Sequence, residues 1–370
     1  MNEQFAPADA RNLTPQPVSA AFSAARLKPV FLGGLLVSTW LPMIFFVWSS
    51  RLEGAMYGFG AMKAMLLFLG TAHVPATFYF YVDKDFSEII NSNRRRYIYF
   101  PLLLTLATAL IFVVGGTPVQ AYVLIIYWSW QAFHYGRQNT GIYSFVSIAT
   151  RGTKPEQTER LMIELGTWCG IIGTFKILGL GVAPAYLREP FEGLYRFGTF
   201  AFGAVLLASV VVYVRNFKRT TPLLSVFYFT LVCFFLPVFI STNIAVAFFS
   251  YAMAHGLQYI LFMMVVSLNF APQNVRHKAQ LANALKLLGF MVILGFVFYR
   301  GTDLKTIEFV ASSGAMSKVA DFIFGAILGA TMSHFVIDAG AWKLSKPLQR
   351  MYMGKRFDFI FNRNSAVDPG

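Results

Sequence analysis

About ten long apolar stretches, each close to the length that crosses a bilayer, constrain this sequence of 370 residues more than any other feature. A membrane-spanning helix needs about 20 mostly apolar residues, because the hydrocarbon layer is roughly 30 Å thick. Charged residues, glycine or proline bound each stretch. The stretches are residues 29–48, 59–82, 97–115, 119–136, 161–182, 195–214, 222–241, 244–270, 281–299 and 320–342. The pattern predicts an all-α, polytopic transmembrane helical bundle.

The composition excludes the main soluble classes. Charged residues make up 13% of the chain and hydrophobic residues 56%, whereas a soluble domain is about 25% charged. A net charge of +14 would suit a nucleic-acid partner only on one compact face, and here the basic residues lie between apolar runs. Cys169 and Cys233 fall inside apolar stretches, so neither a disulfide framework nor a paired-cysteine metal motif is expected.

The basic residues predict the orientation, since cytoplasmic loops carry the excess of Lys and Arg. With both termini in the cytoplasm, 23 of the 31 basic residues lie inside, six outside and two within spans. This predicts a multi-pass protein of the cell inner (cytoplasmic) membrane. Residues 1–26 read as a disordered arm, 27–342 as the transmembrane domain and 343–370 as a basic tail lying on the membrane surface. A partly ordered tail is the alternative, and Asp83 and Asp85 are expected to be solvated loop acids.

Four of the five histidines lie inside predicted spans: His73, His134, His255 and His334. All four occur on even-numbered spans, which share one direction in this topology. Each lies 11 to 15 residues from the predicted outer end of its span, a spread of roughly 6 Å along a helix axis. The histidines are therefore expected in one slab of the membrane, where they can converge on a single point.

Polar and aromatic residues about one turn from these histidines share their helix faces. Metal-bound histidines usually donate their second N–H to such neighbours. The candidates for orienting the histidines are Gln138, Gln258 and Asp338, with Tyr259 as a proton or substrate contact and Thr77 as a weaker neighbour. Asp338 can also be a ligand itself. Trp130 and Tyr251 are expected to cover the site from the bilayer centre.

All-imidazole sites suit iron, copper, zinc or nickel, and the absence of thiolate ligands argues against iron–sulfur clusters. An iron site with open positions can bind O2 beside a lipid-soluble substrate. Pairs of histidines can instead hold b-type haem in an electron carrier or assembly factor. A proton-coupled transporter and plain interhelical hydrogen bonding are further alternatives, although polar groups in hydrocarbon usually mark function.

With single histidines on several spans, this chain resembles the Brp/Blh-type bacterial membrane dioxygenases, which cleave β-carotene to retinal. His73, within Thr71-Ala-His-Val-Pro75, is similar to that family's early histidine in lying on an apolar helix. The resemblance implies a non-haem iron held by histidines and oxygenase chemistry. The family's Pro-His-Gly-Ala-Leu-Asp string is absent from this chain, so no residue role is carried over.

The working hypothesis is a metal-dependent membrane oxygenase. Its metal ligands are His73, His134, His255 and His334, and its catalytic residues are Tyr259 and Asp338. Gln138, Gln258, Trp130 and Tyr251 would surround the cofactor, which is non-haem iron, with haem b, copper or zinc as alternatives. The expected partners are the lipid bilayer, O2, a hydrophobic substrate such as a carotenoid, quinone or lipid, and a redox partner, but no nucleic acid.

Overall fold

A computed structural model describes residues 18–49, 60–181, 183–241, 244–269, 277–308 and 315–361. These residues form α-helices joined by short turns, and no strand occurs among them. Short 3₁₀ turns cover Lys84–Phe86, Ala185–Leu187 and Phe217–Arg219, and π-helical turns cover Arg95–Tyr99 and Phe290–Leu294. The α-helices are α1 (Val18–Ser49), α2 (Gly60–Ala76), α3 (Tyr79–Val82), α4 (Ser87–Ser92), α5 (Phe100–Val114), α6 (Gly116–Arg151), α7 (Gln157–Gly181), α8 (Arg188–Asn216), α9 (Pro222–Val232), α10 (Leu236–Ile240), α11 (Ile244–Leu268), α12 (His277–Gly289), α13 (Gly295–Glu308), α14 (Ala315–Ala341), α15 (Pro347–Arg356) and α16 (Asp358–Phe361).

Six helical segments in the described part of the chain are long and apolar enough to cross a membrane, which indicates a membrane protein. Each corresponds to a stretch that the sequence predicted to span. The all-helical class is therefore confirmed, with six such segments against about ten predicted. The segments are Arg26–Phe46, Arg95–Val114, Ala185–Arg219, Ala247–Leu268, Ala279–Thr302 and Ser317–Ala341.

The other four predicted spans form helices that are shorter, interrupted or more polar than these six. Helix α2 ends at Ala76, directly after Pro75, because proline has no N–H to continue the helical hydrogen bonds. Helices α9 and α10 split the seventh stretch at a turn over residues 233–235. Helix α7 carries charged residues, including Glu164 and Lys176. Helix α6 is polar along much of its length and continues to Arg151, where Gly152 in the left-handed conformation ends it.

Two of the six apolar segments lie at the centre of the protein. In Ala247–Leu268 and Ser317–Ala341, 72% and 61% of the apolar stretch is buried, whereas the other four segments are between 22% and 39% buried. Helices α11 and α14 are therefore surrounded by protein, and the remaining four present most of their side chains outward. A site built on α11 and α14 is shielded from the surroundings of the molecule.

Small residues bring α14 close to α5. A Cβ atom added to Gly325 would lie 2.8 Å from the Thr108 carbonyl oxygen, and one added to Gly329 would lie 2.6 Å from the Thr105 Cα atom. Two glycines four residues apart form the small-residue stripe with which membrane helices approach closely. This contact fixes the position of the part of α14 that follows, which carries His334.

The C-terminal segment packs into the core. Tyr352, Met353, Phe357 and Phe359 are buried, and the ring centroid of Phe31 on α1 lies 5.8 Å from those of Phe357 and Phe359. Most apolar side chains of the predicted tail therefore contact protein over residues 347–361, whereas Met351 is 55% exposed. Whether the basic side chains of the tail also contact lipid stays a prediction.

A buried ion pair anchors this segment. The Arg356 guanidinium donates to Asp83 Oδ2 at 2.9 Å, to Asp85 Oδ2 at 2.8 Å and to the Val266 carbonyl oxygen at 3.0 Å. Arg356 is 3% exposed and Asp83 9%. The expectation that Asp83 is a solvated loop acid is therefore wrong: a cation 273 residues away in the sequence compensates for the loss of its water.

Tyr352 also contacts this ion pair. Its hydroxyl donates to Asp83 Oδ2 at 2.6 Å. Burial, and then the neighbouring Asp83 carboxylate, raises the pKa of Tyr352 well above its ordinary value. The phenol therefore stays protonated and available as a donor.

The chain termini extend past the described residues. Residues 1–17 of the predicted disordered arm, and residues 362–370 of the predicted tail, lie outside them. Helix α1 begins at Val18, so the end of the predicted arm, residues 18–26, is helical.

Replacement of Arg356 with alanine is expected to lower the free energy of unfolding by about 3–5 kcal/mol, because it leaves a buried carboxylate without its cation. Arg350→Ala is the matched control, since Arg350 is exposed on the same helix and surface changes usually stay within about 0.5 kcal/mol. Denaturant unfolding of both variants in detergent micelles measures the difference. Equal unfolding midpoints would show that the buried pair does not stabilise the protein.

Candidate metal centre

Four helices each contribute one histidine to the middle of the protein: His73 on α2, His134 on α6, His255 on α11 and His334 on α14. Their exposed fractions are 4%, 8%, 0% and 2% respectively. Two of these helices are the central ones, and α2 and α6 pack against them. The histidines come from distant parts of the sequence, so their meeting depends on the helix packing.

The four imidazole rings form a closed quadrilateral. The ring centroid of His73 lies 4.8 Å from that of His255 and 5.1 Å from that of His334. His134 lies 5.0 Å from His255 and 5.1 Å from His334. The diagonal between His255 and His334 is 6.4 Å. The structure therefore brings together all four histidines that the sequence singled out.

Five buried ring nitrogens in this cluster have no hydrogen-bond partner among the described residues. They are Nε2 of His73, His134 and His334 and both ring nitrogens of His255. A buried polar atom without a partner costs about 1–3 kcal/mol, and most such atoms in proteins are paired. A group of histidines that served only to pack the helices together would rarely contain so many unpaired nitrogens.

Hydrogen bonds on the far side of two rings select which nitrogen carries the proton. His73 Nδ1 contacts the Gly70 carbonyl oxygen, which can only accept, so the proton lies on Nδ1. His334 Nδ1 lies 2.6 Å from Thr77 Oγ1. In His73, and in His334 where Nδ1 donates to Thr77, Nε2 is then the atom with a free lone pair, which is the arrangement found in metal-bound histidines.

A chain of hydrogen bonds extends from His334 to Asp338. Thr77 Oγ1 lies 2.8 Å from the Tyr259 hydroxyl, which donates to Asp338 Oδ1 at 2.7 Å. Where Asp338 is ionised it only accepts, so the Tyr259 hydroxyl would receive the Thr77 proton and Thr77 that of His334 Nδ1. In that state Asp338 would select the tautomer of His334 through two hydroxyl groups.

Asp338 also approaches two of the histidines directly. Its Oδ2 lies 3.5 Å from His334 Nδ1 and 3.8 Å from His134 Nε2, and the residue is 4% exposed. Two sets of side chains have donor atoms close enough together to hold a metal ion: His73, His255 and His334, and His134, His334 and Asp338. The second set contains two histidines and one carboxylate.

The two glutamines predicted to orient the histidines bond elsewhere. Gln138 Nε2 donates to Gln258 Oε1 at 3.0 Å and to the His255 carbonyl oxygen at 3.3 Å. Gln258 Nε2 donates to Thr39 Oγ1 at 2.7 Å. These bonds connect α6, α11 and α1 beside the cluster, and thus hold the backbone that carries His255.

Trp130 and Tyr251 contact the aromatic residues around the cluster. Trp130 packs against Phe335 with ring centroids 5.9 Å apart, and Tyr251 packs against Tyr135 at 5.9 Å. Phe335 and Tyr135 in turn contact the histidines, with Phe335 stacked on His134 at 4.5 Å and Tyr135 tilted against His255 at 4.1 Å. The two predicted residues therefore lie one layer out from the cluster.

Sequence reasoning missed Tyr135 and Phe335 and gave Thr77 little weight. Tyr135 follows His134 and Phe335 follows His334 in the sequence, so a search at intervals of three and four residues passes over both. Each contacts the histidine of another helix, and residue spacing within one helix cannot predict a contact between helices. Thr77 does lie at this interval, four residues after His73, yet its hydroxyl serves His334.

Gly136 allows α6 to lie close to α7 beside the cluster. A Cβ atom on Gly136 would overlap the Thr167 side chain on α7. Because Gly136 is two residues from His134, this contact determines how far His134 reaches toward the other three rings.

No protein-family model, no characterised protein sequence and no solved structure matches this chain. The function is therefore inferred from the geometry and chemistry of the site.

Replacement of Gly136 with alanine is expected to cost about 1–3 kcal/mol of stability, the usual effect of inserting an atom into a packed core. Gly141→Ala on the same helix is the control, since a Cβ atom there meets nothing within 4 Å and alanine favours a helix over glycine by up to about 1 kcal/mol. Thermal unfolding in detergent compares the two. A Gly136→Ala protein as stable as Gly141→Ala would contradict the close approach of α6 and α7.

Proposed function

We propose that this protein is a metal-dependent membrane oxygenase with non-haem iron at His73, His134, His255 and His334, acting on a lipid-soluble substrate. The observation that carries the proposal is the quadrilateral of buried imidazoles with unpaired nitrogens. A metal ion would supply the partner that these nitrogens lack. In this role the iron would bind O2, while the protein orients the ligands and keeps water away.

The ring spacings fit histidines bound to a common ion, and the donor atoms close enough for this form two sets of three. Metal–nitrogen bonds of about 2.0–2.1 Å place the centroids of two bound imidazoles roughly 4.5–5.5 Å apart at neighbouring positions and roughly 6–6.5 Å apart at opposite ones. The four sides of the quadrilateral, 4.8 to 5.1 Å, fit neighbouring positions. The 6.4 Å diagonal between His255 and His334 fits opposite ones.

The same spacings favour a bare ion over the alternative of haem b. The 6.4 Å between His255 and His334 would suit two axial ligands of a haem. The plane between them must then be open to hold the porphyrin, yet the rings of His73 and His134 lie about 5 Å from both. Haem would require these two side chains to move away.

The carboxylate is the argument for iron among the possible ions. His134, His334 and Asp338 form one of the two candidate ligand sets, and two histidines with one carboxylate are typical of oxygen-activating non-haem iron. The negative charge of Asp338 would partly neutralise the ion in a buried position. The Tyr259 hydroxyl, bonded to Asp338, is the proton donor closest to that carboxylate.

The number of spans and the location of the termini belong to the same proposal. About ten spans, with both termini in the cytoplasm of a cell with an inner membrane, are supported by the distribution of Lys and Arg along the sequence. The short or polar helices α2, α6, α7 and α9 would then complete the bundle around the six apolar segments. A redox partner on the cytoplasmic side would supply electrons.

Elemental analysis tests the metal directly. We expect about one iron per chain in the wild type, a visible spectrum without an intense Soret band, and metal near background in His255→Ala. Because His277 lies in a polar sequence outside the predicted spans, His277→Ala is the control and should keep the metal. An intense Soret band would identify haem instead, and a folded wild type without metal would favour a proton pathway.

Thr77→Val is expected to weaken metal binding about 10–100-fold, the usual effect of removing a hydrogen bond to a metal-bound histidine. Thr77→Ser, which keeps the hydroxyl, should restore most of the affinity. Thr174→Val is the control for losing a buried hydroxyl, since among the described residues Thr174 donates within its own helix α7, to the Ile171 carbonyl oxygen. Titration with a competing chelator measures all three. Equal affinities for the valine and serine variants would refute the role of the Thr77 hydroxyl.

A further inference from the structure

A cavity of about 360 Å³ lies beside the histidine cluster. Of the proposed metal ligands, only His334 is part of its lining. The cavity lies between the end of α2, the start of α5 and the middle of α14. Its volume falls within the range of roughly 300–1,000 Å³ that is common for small-molecule sites. Its lining includes Ile98, Pro101, Leu102, Ala330, His334 and Ile337.

The cavity connects the histidine cluster with the outer surface of the protein. At its buried side it is lined by His334, which is 2% exposed, and by Thr77, which is 1% exposed. At its outer side it is lined by Leu102, which is 65% exposed, and Tyr81, which is 39% exposed. A molecule that enters past Leu102 would therefore meet the imidazole of His334.

The surface around the opening is apolar. Leu102, Leu103 and Leu106 are all more than half exposed on α5, within the apolar segment Arg95–Val114 that is only 28% buried. A row of exposed leucines on a membrane-spanning segment faces hydrocarbon. The opening is therefore on the side of the protein where lipid chains lie.

The polar atoms along the cavity are already occupied. The Ser333 hydroxyl donates to the Pro101 carbonyl oxygen at 2.9 Å, and the Tyr81 hydroxyl donates to the Tyr97 carbonyl oxygen. The lining contains no lysine, arginine, aspartate or glutamate. Because nothing there can pair with a charged head group, the part of a ligand that enters must be uncharged.

We propose that this cavity is the substrate entrance and admits an uncharged, narrow hydrocarbon chain sideways from the bilayer to the face of His334. This deepens the proposed function and rests on it for the chemistry, since the chain would then be the molecule that is oxidised. The substrate class is a long-chain lipid or the unsubstituted end of a polyisoprenoid. A bulky or charged end of the same molecule would remain outside Leu102.

Photocrosslinking in lipid nanodiscs tests the entrance without requiring activity. The probe is a long-chain fatty alcohol with a photoreactive diazirine in the chain, and mass spectrometry locates the adducts. We expect labelling of residues 98–105 and 330–337 in excess over the lipid-facing helix α8. Competition by unlabelled fatty alcohol should remove this excess.

Substitutions that fill the cavity supply the matched comparison. Ala330→Leu and Ala330→Phe should reduce and then abolish the labelling in order of side-chain size. Ala326→Phe, one turn away on α14 and outside the lining, should leave it unchanged. Thermal unfolding in detergent verifies that each variant is folded, independently of whether the protein binds iron.

The possible outcomes separate this proposal from the metal proposal. Uniform labelling of all lipid-facing helices, unaffected by Ala330→Phe, would overturn the entrance even if iron is bound. Specific labelling in a protein without iron would support the entrance as a chain-binding cavity and overturn the metal centre alone. Specific labelling that Ala326→Phe removes as well as Ala330→Phe would also count against the entrance.

Discussion

The cost of leaving imidazole nitrogens without partners inside a membrane protein is the constraint on which this structure depends. Each buried, unpaired nitrogen costs about 1–3 kcal/mol, and the cluster contains five of them. Most buried polar atoms in proteins have a hydrogen-bond partner. The four rings nevertheless lie close to one another, and the metal ion proposed above would supply the partner that their nitrogens lack.

The rest of the architecture holds this arrangement in place. Helices α11 and α14 are the most buried of the apolar segments, so His255 and His334 occupy the most protected positions. The glycine pair on α14 allows α5 to approach, and Gly136 does the same for α6 and α7. Close contacts between backbones leave few alternative helix positions, and the four rings are therefore held at defined distances.

The sequence predicted the helical class and the four histidines because both depend on local properties: apolar length, and polar residues placed within it. It did not predict what Gln138 and Gln258 contact, since side chains on one helix face can bond to any neighbouring helix. The pair of Asp83 and Arg356 was missed for the same reason. These residues are 273 positions apart, and only the folded chain brings the tail back beside α3 and α4.

The surroundings of His334 are polar on one side and apolar on the other. On one side Thr77, Tyr259 and Asp338 form a hydrogen-bonded chain that ends on Nδ1 of His334. On the other side an apolar cavity leads to the lipid-facing surface. Protons and charge are thus confined to the protein interior, while hydrocarbon is confined to the cavity. A reaction at the proposed metal would need both, and His334, together with Thr77, is where they meet.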